Sequence, residues 1–112
     1  MELHEESVGP VLVLTPKGRV DSATSKSFEE KVMGLINGGT STLLVDFGSL
    51  DYISSAGLRV LLMAAKKLKS SQGKFAISTM PDHIREVFEI SGFATVLAIH
   101  PDRQTGLSAL GA

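Results

Sequence analysis

The sequence predicts an α/β fold in which helices pack on a mixed, mostly parallel β-sheet. Three observations predict it. Short apolar, β-prone runs alternate with segments of helical period along the chain. Two strand-like runs at the start flank Gly9-Pro10, a turn signal that predicts a hairpin. The run from Thr42 to Phe47 is almost continuously apolar, as in a parallel strand covered on both faces. The predicted order is β-β-α-β-α-β-α-β-(α), with right-handed crossovers.

Composition supports one domain covering residues 1–112. The chain has 43% hydrophobic and 21% charged residues, which is ordinary for a globular domain. Its net charge of −1 argues against a dedicated nucleic-acid binder. Without cysteine it has no disulfide, no thiolate nucleophile and no Cys-built metal site, which is compatible with a cytoplasmic protein. No apolar run approaches the ~18 to 20 residues of a bilayer span, so no membrane association is expected.

The first half of the chain predicts the hairpin, one helix and one strand. Val11 to Thr15 forms the second strand of the hairpin. Helical spacing then follows in Phe28, Val32, Leu35 and Ile36. Asp21 or Ser22 is placed to cap this helix, and Asn37-Gly38-Gly39 is placed to end it. Thr42 to Phe47 is the next strand and is expected to be central in the sheet.

The second half predicts two further helices, two strands and a short terminal helix. A loop from Gly48 to Ser54 leads into a helix with an apolar stripe comprising Leu58, Leu61, Leu62, Ala65 and Leu68. A strand over Lys74 to Thr79, a helix from Pro81 to Gly92, a last strand from Phe93 to Ile99 and a helix from Asp102 to Leu110 complete the prediction. Gly57 lies just inside its helix, where alanine would ordinarily stabilise by up to ~1 kcal/mol, so a loss of partner binding in Gly57→Ala would indicate a close backbone approach.

Two loops stand out as candidate sites, Gly18 to Thr24 and Gly48 to Gly57. Functional groups in such sheets usually lie beyond the carboxyl ends of strands, where helix N-termini converge. Ser54 and Ser55 stand at the start of the second long helix, where unpaired N–H groups and the helix dipole favour an anion. Either serine suits the N-cap position, and a phosphate on Ser55 would be electrostatically tolerated there.

Four segments of the sequence carry a family resemblance. They are Gly18-Arg19-Val20-Asp21 with Thr24, Leu43 to Phe47, Leu50-Asp51-Tyr52-Ile53-Ser54-Ser55-Ala56-Gly57-Leu58, and Ile90-Ser91-Gly92-Phe93. Together they resemble the bacterial anti-sigma factor antagonists of the STAS-domain family, over essentially the whole chain. The resemblance implies a single STAS domain whose signature, Asp-Ser-(Ser, Thr or Ala)-Gly-Leu, carries a phosphorylated serine. Alignment on Gly57-Leu58 maps that serine onto Ser55 and puts Ser54 where the signature has Asp.

The resemblance also implies a function. The unphosphorylated protein would bind an anti-sigma factor that is also a serine kinase, and so release the sigma factor. Phosphorylation of Ser55 would abolish binding, and a serine phosphatase would reset the switch. The kinase would bind the ATP, so the chain itself needs no cofactor and is not expected to be an enzyme. A cytoplasmic monomer or weak dimer is expected. The residues expected to recognise the partner are Asp21, Thr24, Tyr52, Ile53, Ser54, Ala56, Gly57 and Leu58.

Other interpretations remain open at this point. Asp21 is at least as well explained as a plain helix cap. STAS-like domains also serve as unphosphorylated interaction modules in transport or lipid-trafficking complexes, and partner switching can have an output other than a sigma factor. A serine hydrolase is disfavoured, because His4, His83 and His100 lie in no triad context. The same histidines are explained as surface or capping residues, so no metal site is expected.

Overall fold

The computed structural model describes residues 1–112 and contains six strands and four helices. The strands are β1 (Glu2–Val8), β2 (Val11–Val20), β3 (Thr42–Asp46), β4 (Leu50–Ile53), β5 (Lys74–Ser78) and β6 (Ile99–His100). The helices are α1 (Ser25–Asn37), α2 (Ser55–Ser70), α3 (Asp82–Ser91) and α4 (Arg103–Ala109), with a 3₁₀ turn at Phe93–Thr95. None of the four helices has both the length and the hydrophobicity that a membrane span requires.

The six strands form one mixed sheet, which confirms the predicted fold class. Its order is β1-β2-β3-β5-β6, and β4 pairs with β2 outside this path. β1 is antiparallel to β2, as predicted for the hairpin, and every other pairing is parallel. β2 has two successive partners. It pairs with β3 along Leu12–Leu14 and with β4 along Gly18–Val20, after a register shift between Gly18 and Arg19.

Successive strand residues point to opposite faces of the sheet, so the sheet has two cores. The larger core joins Leu43 and Val45 of β3 to apolar residues of α1, α2 and α3. The smaller core joins Leu44 of β3 to Leu107 and Leu110 of α4. Three helices therefore cover one face of the sheet, and α4 covers the other.

Arg103 fastens α4 to three strands. Its Nε donates to Asp46 Oδ2 at 2.8 Å, its Nη1 to Glu6 Oε1 at 3.1 Å and its Nη2 to Thr15 Oγ1 at 3.2 Å. The Asp46 side chain is only 8% exposed, so this guanidinium compensates a carboxylate that is almost out of water. We call Arg103, Asp46, Glu6 and Thr15 the Arg103 clasp.

Three expectations about loops and strands were wrong, and the first is that Gly18–Val20, expected in a loop, is the last part of β2. The segment Gly48 to Ser54 is not all loop, because Leu50–Ile53 forms β4. Its buried residues are its first and last, so the strand lacks the alternating pattern that marks a half-buried strand. Nor is Phe93 to Ile99 a strand. The chain makes a 3₁₀ turn over Phe93–Thr95, and only Ile99–His100 pair with β5. The predicted terminal helix is present as α4, with Asp102 as its cap.

Candidate functional site

Parallel pairing of β2 with β4 brings the two candidate loops together. Val20 is opposite Ile53, and the Ser54 N–H donates to the Val20 carbonyl oxygen at 2.7 Å. Asp21 and Ser54 directly follow these paired residues, so both lie at the carboxyl ends of neighbouring strands. We call the surface carried by Asp21, Thr24, Tyr52, Ser54 and Ser55 the β2–β4 edge.

Ser54 and Ser55 divide two roles between them. Ser54 is the N-cap of α2, because its Oγ accepts from the Gly57 N–H at 3.3 Å and its carbonyl accepts from the Leu58 N–H at 2.9 Å. Ser55 is the first residue of the helix and is exposed, and its hydroxyl makes no hydrogen bond within the chain. One serine is therefore engaged in folding, and the other presents a free hydroxyl beside a helix N-terminus.

Asp21 and Thr24 cap the turn that leads into α1. The Asp21 Oδ1 accepts from the backbone N–H groups of Ala23 at 3.0 Å and Thr24 at 3.1 Å. In return, the Thr24 Oγ1 accepts from the Asp21 N–H at 2.9 Å and donates to the Arg19 carbonyl at 2.8 Å. These reciprocal bonds resemble a capping box, but they stabilise the turn before α1 rather than the helix itself. The N-cap residue of α1 itself is Thr24, whose side chain makes no cap hydrogen bond, so neither Asp21 nor Ser22 is the helix cap that the sequence predicts.

The same hydrogen bonds keep Asp21 ionised. The N–H of Ala23 is the largest influence, and it lowers the pKa of the Asp21 carboxyl below its ordinary value of 3.8. The N–H and hydroxyl of Thr24 and the guanidinium of Arg19 lower this pKa further. Asp21 consequently presents a negative charge at the β2–β4 edge at neutral pH.

Arg19 links Tyr52 to Asp21 across the two strands, a role that the sequence does not show. Its guanidinium carbon lies 4.4 Å from the centre of the Tyr52 ring, a cation–π distance. Its Nε lies 3.7 Å from Asp21 Oδ2. Tyr52 is 41% exposed, so this arrangement presents a large aromatic side chain in a defined position on the surface.

Three of the predicted recognition residues lie below the surface. Ile53 is 3% exposed, Leu58 is 4% exposed and Gly57 is buried. A methyl group added at Gly57 would lie 2.7 Å from both Ile53 Cγ1 and Val20 Cγ1, which is closer than side chains approach. The ordinary stabilisation by alanine is therefore not expected at Gly57, because the first turn of α2 packs directly on β2 and β4. Ala56, between Ser55 and Gly57, is half-buried.

A hydrogen bond from His83 connects α3 to β4. Its Nε2 donates to the Asp51 carbonyl oxygen at 2.7 Å, next to Tyr52. The two residues are 32 positions apart, so no local sequence pattern predicts this hydrogen bond. His4 instead pairs with Glu2 at 2.9 Å, and neither Ser54 nor Ser55 is hydrogen-bonded to a histidine. No group of three His, Asp or Glu side chains is placed to hold a metal ion.

Comparison with known proteins identifies relatives of the whole chain. The model of the STAS domain family matches residues 4–106. The provisionally named anti-sigma factor antagonist BtrV of Bordetella bronchiseptica is 37% identical over 109 residues, which is 97% of this chain and 94% of that protein.

Solved structures match the fold at lower identity. A provisionally named anti-sigma factor antagonist of Thermotoga maritima has a TM-score of 0.93 at 18% identity, covering 98% of this chain and 95% of that one. The Bacillus cell fate determinant SpoIIAA in its phosphorylated form has a TM-score of 0.75 at 19% identity, covering 96% and 98%. These two likenesses concern the arrangement of strands and helices.

Proposed function

The chain belongs to the STAS domain family, and on this basis we propose that it is an anti-sigma factor antagonist in a partner-switching system. In its unphosphorylated form it binds an anti-sigma factor that is also a serine kinase, and the sigma factor is released. Phosphorylation of Ser55 breaks that complex, and a serine phosphatase restores it. BtrV, which carries the name of anti-sigma factor antagonist, supports this role at 37% identity.

The free hydroxyl of Ser55 carries the proposal. A kinase needs an accessible oxygen, and Ser55 is exposed, whereas the Ser54 hydroxyl is half-buried and accepts the Gly57 N–H. The different roles of Ser54 and Ser55 also explain why a serine can replace the Asp of the family signature at position 54. Ser54 supplies the capping oxygen for α2, as an aspartate would, but it adds no negative charge beside the phosphate acceptor.

A phosphate on Ser55 changes the charge of the β2–β4 edge without unfolding it. It adds about −1.5 to −2 charges at the N-terminus of α2, where the helix dipole stabilises an anion. In the complex, the same dianion would lose its water beside the partner and the Asp21 carboxylate. Desolvation and like-charge repulsion then favour dissociation.

The exposed and buried members of the predicted recognition set have different parts in this scheme. Asp21, Tyr52, Ser54 and Ala56 are accessible or half-accessible and are proposed to contact the partner, with Thr24 fixing the position of Asp21. Ile53, Gly57 and Leu58 are buried and are proposed to hold the first turn of α2 in place.

The chain's own part in the chemistry is to present a hydroxyl. The kinase binds ATP and transfers the phosphoryl group, and the phosphatase hydrolyses the phosphoserine, so we assign the chain no catalytic residue and no cofactor. Such a cycle belongs in the cytoplasm, where sigma factors act.

The decisive experiment is mass spectrometry of the protein purified from its native host, alongside Ser54→Ala and Ser55→Ala variants. We expect a single phosphate on the wild type and on Ser54→Ala, and none on Ser55→Ala. Ser54→Ala is the matched control because it removes the neighbouring hydroxyl. A phosphate that persists on Ser55→Ala would move the site elsewhere.

Binding to the purified anti-sigma kinase supplies the second measurement. Ser55→Ala should bind like the wild type, whereas Ser55→Asp should bind at least about tenfold more weakly. Arg59 lies one helical turn after Ser55, is exposed and makes no ion pair. Ser55→Asp combined with Arg59→Gln therefore shows whether Arg59 offsets the added charge. Equal affinity of Ser55→Asp and wild type would contradict the switch.

A further inference from the structure

The outer side of α3 carries an apolar stripe that the proposed switch does not use. His83, Val87 and Ile90 recur at positions i, i+4 and i+7, so they lie on one side of the helix. Ile84 and Phe88 face the core instead. Ile90 is 88% exposed and Val87 is 39% exposed, so two large apolar side chains are exposed to solvent on neighbouring turns of the helix. We call His83, Val87 and Ile90 the α3 stripe.

The α3 stripe continues from the β2–β4 edge. The His83 Nε2 donates to the Asp51 carbonyl at 2.7 Å, and this bond fixes the first turn of α3 against β4. Tyr52, the next residue of β4, is itself an exposed aromatic side chain. The start of the α3 stripe is therefore bonded to the strand that carries Tyr52, and a partner that covers this strand meets the stripe at His83.

Acidic side chains accompany the stripe. α3 carries Asp82, Glu86 and Glu89 against a single cation, Arg85, and Asp51 is exposed beside His83. None of these four carboxylates forms an ion pair within the chain. A second copy of this chain would bring the same negative charges to the contact, which disfavours self-association. An apolar surface flanked by Lys or Arg is the complementary partner.

We propose that the α3 stripe is a second docking surface for the anti-sigma kinase, contacted by an apolar segment of that protein with basic flanks. This inference rests on the proposed function, because it takes the same partner. It extends the contact beyond the phosphorylated serine to a helix whose charge the phosphate does not alter. Ile90 is the anchor, since it buries the most apolar surface on docking.

The test is calorimetric titration of the full chain with the purified anti-sigma kinase, using a matched pair at one position. Ile90→Lys and Ile90→Glu both remove the apolar side chain, but they add opposite charges. Ile90→Lys should weaken binding by about tenfold or more, and Ile90→Glu by clearly less. Gln104→Lys, at an exposed position of α4 on the other face of the sheet, adds the same charge elsewhere and should bind like wild type. Because Ile90 is 88% exposed, both variants should keep their fold, which circular dichroism checks.

Three outcomes would overturn the inference, and a fourth would overturn its requirement for basic flanks. If Ile90→Lys binds like wild type while Ser55→Asp does not, the α3 stripe is not a docking surface and the proposed function stands. If neither substitution changes binding, the proposed function itself fails. If the wild type is a dimer that Ile90→Lys dissociates, with the affinity for the kinase unchanged, the stripe contacts a second copy. Equal losses for Lys and Glu would refute the basic flanks.

Discussion

The β2–β4 edge and the Arg103 clasp both provide hydrogen-bond partners for polar groups near strand ends. They differ in how far apart in the sequence these partners lie. At the edge, Asp21 caps Thr24 and Ser54 caps Gly57, each three residues away. In the clasp, Arg103 reaches Asp46, Thr15 and Glu6, which are 57, 88 and 97 positions away. Local capping leaves the edge accessible to a partner, whereas the long-range clasp encloses a carboxylate. The edge is suited to recognition and the clasp to holding the sheet together.

Among the substitutions that test this contrast, Arg103→Ala is expected to change the stability most. Removing the guanidinium leaves the Asp46 carboxylate, 8% exposed, with only the Gly48 N–H at 2.8 Å. Loss of one member of a buried pair costs about 3 to 5 kcal/mol, and the 40% exposure of Arg103 places the loss near the lower end. Urea denaturation should therefore show a loss of about 3 kcal/mol in unfolding free energy. Phosphorylation of Ser55 in the surviving folded protein should be unaffected.

A double variant separates the effect of the Asp46 charge from the effect of Arg103 packing. Asp46→Asn with Arg103→Ala removes the unpaired charge while the amide oxygen can still accept the Gly48 N–H. This variant should recover part of the stability lost in Arg103→Ala. No recovery would mean that Arg103 stabilises through its packing rather than through Asp46.

Gly57→Ala tests how closely the first turn of α2 packs on β2 and β4. The added methyl group would meet Val20 and Ile53 at 2.7 Å, and overpacking of this kind costs about 1 to 3 kcal/mol. The gain in helix propensity offsets at most ~1 kcal/mol. A net loss of about 1 to 2 kcal/mol in thermal or urea denaturation is expected.

Gly34→Ala is the matched control for that substitution. Gly34 lies within α1, is exposed and has open space where a methyl group would stand. Alanine there should stabilise the protein by up to ~1 kcal/mol. Opposite signs at the two glycines would confirm the close contact at Gly57, and the same sign would contradict it.

The smallest expected effect concerns acid stability and Asp21. Its pKa is lowered in the folded protein, so its ionised form contributes stability that is fully present above the unfolded value of 3.8. That contribution disappears as the pH falls below 3.8 through the lower folded pKa. Asp21→Asn keeps a capping side chain but does not titrate. Its stability should fall less steeply than that of wild type below this pH, and parallel curves would contradict the assignment.

Elements with a strong local pattern were predictable, and those that depend on distant partners were not. α1, α2 and α3 follow from apolar spacing, α1 and α3 also from the glycines that end them, and the hairpin follows from Gly9-Pro10. β4 was missed because four residues without alternation become a strand only beside the carboxyl end of β2. The two-residue β6 likewise exists only through β5.

The candidate site divides in the same way. Capping of α2 by a serine, and the turn that the Asp21 side chain closes before α1, are local chemistry that a sequence can show. The contact of Arg19 with Tyr52 arises from strand pairing, and the bond from His83 to Asp51 spans 32 residues. The packing of Gly57 on Val20 has the same origin, which is why the ordinary effect of alanine in a helix is not expected there.

The division of β2 between two partners has a thermodynamic consequence for association. Because Gly18–Val20 pair with β4, the backbone immediately before Ser55 is held in the sheet, and α2 holds the backbone after it. A partner that docks here meets a surface already ordered by folding, so little further chain entropy is lost on binding. Rigid-body association is then the expected mode, with a rate set by collision and charge rather than by loop closure.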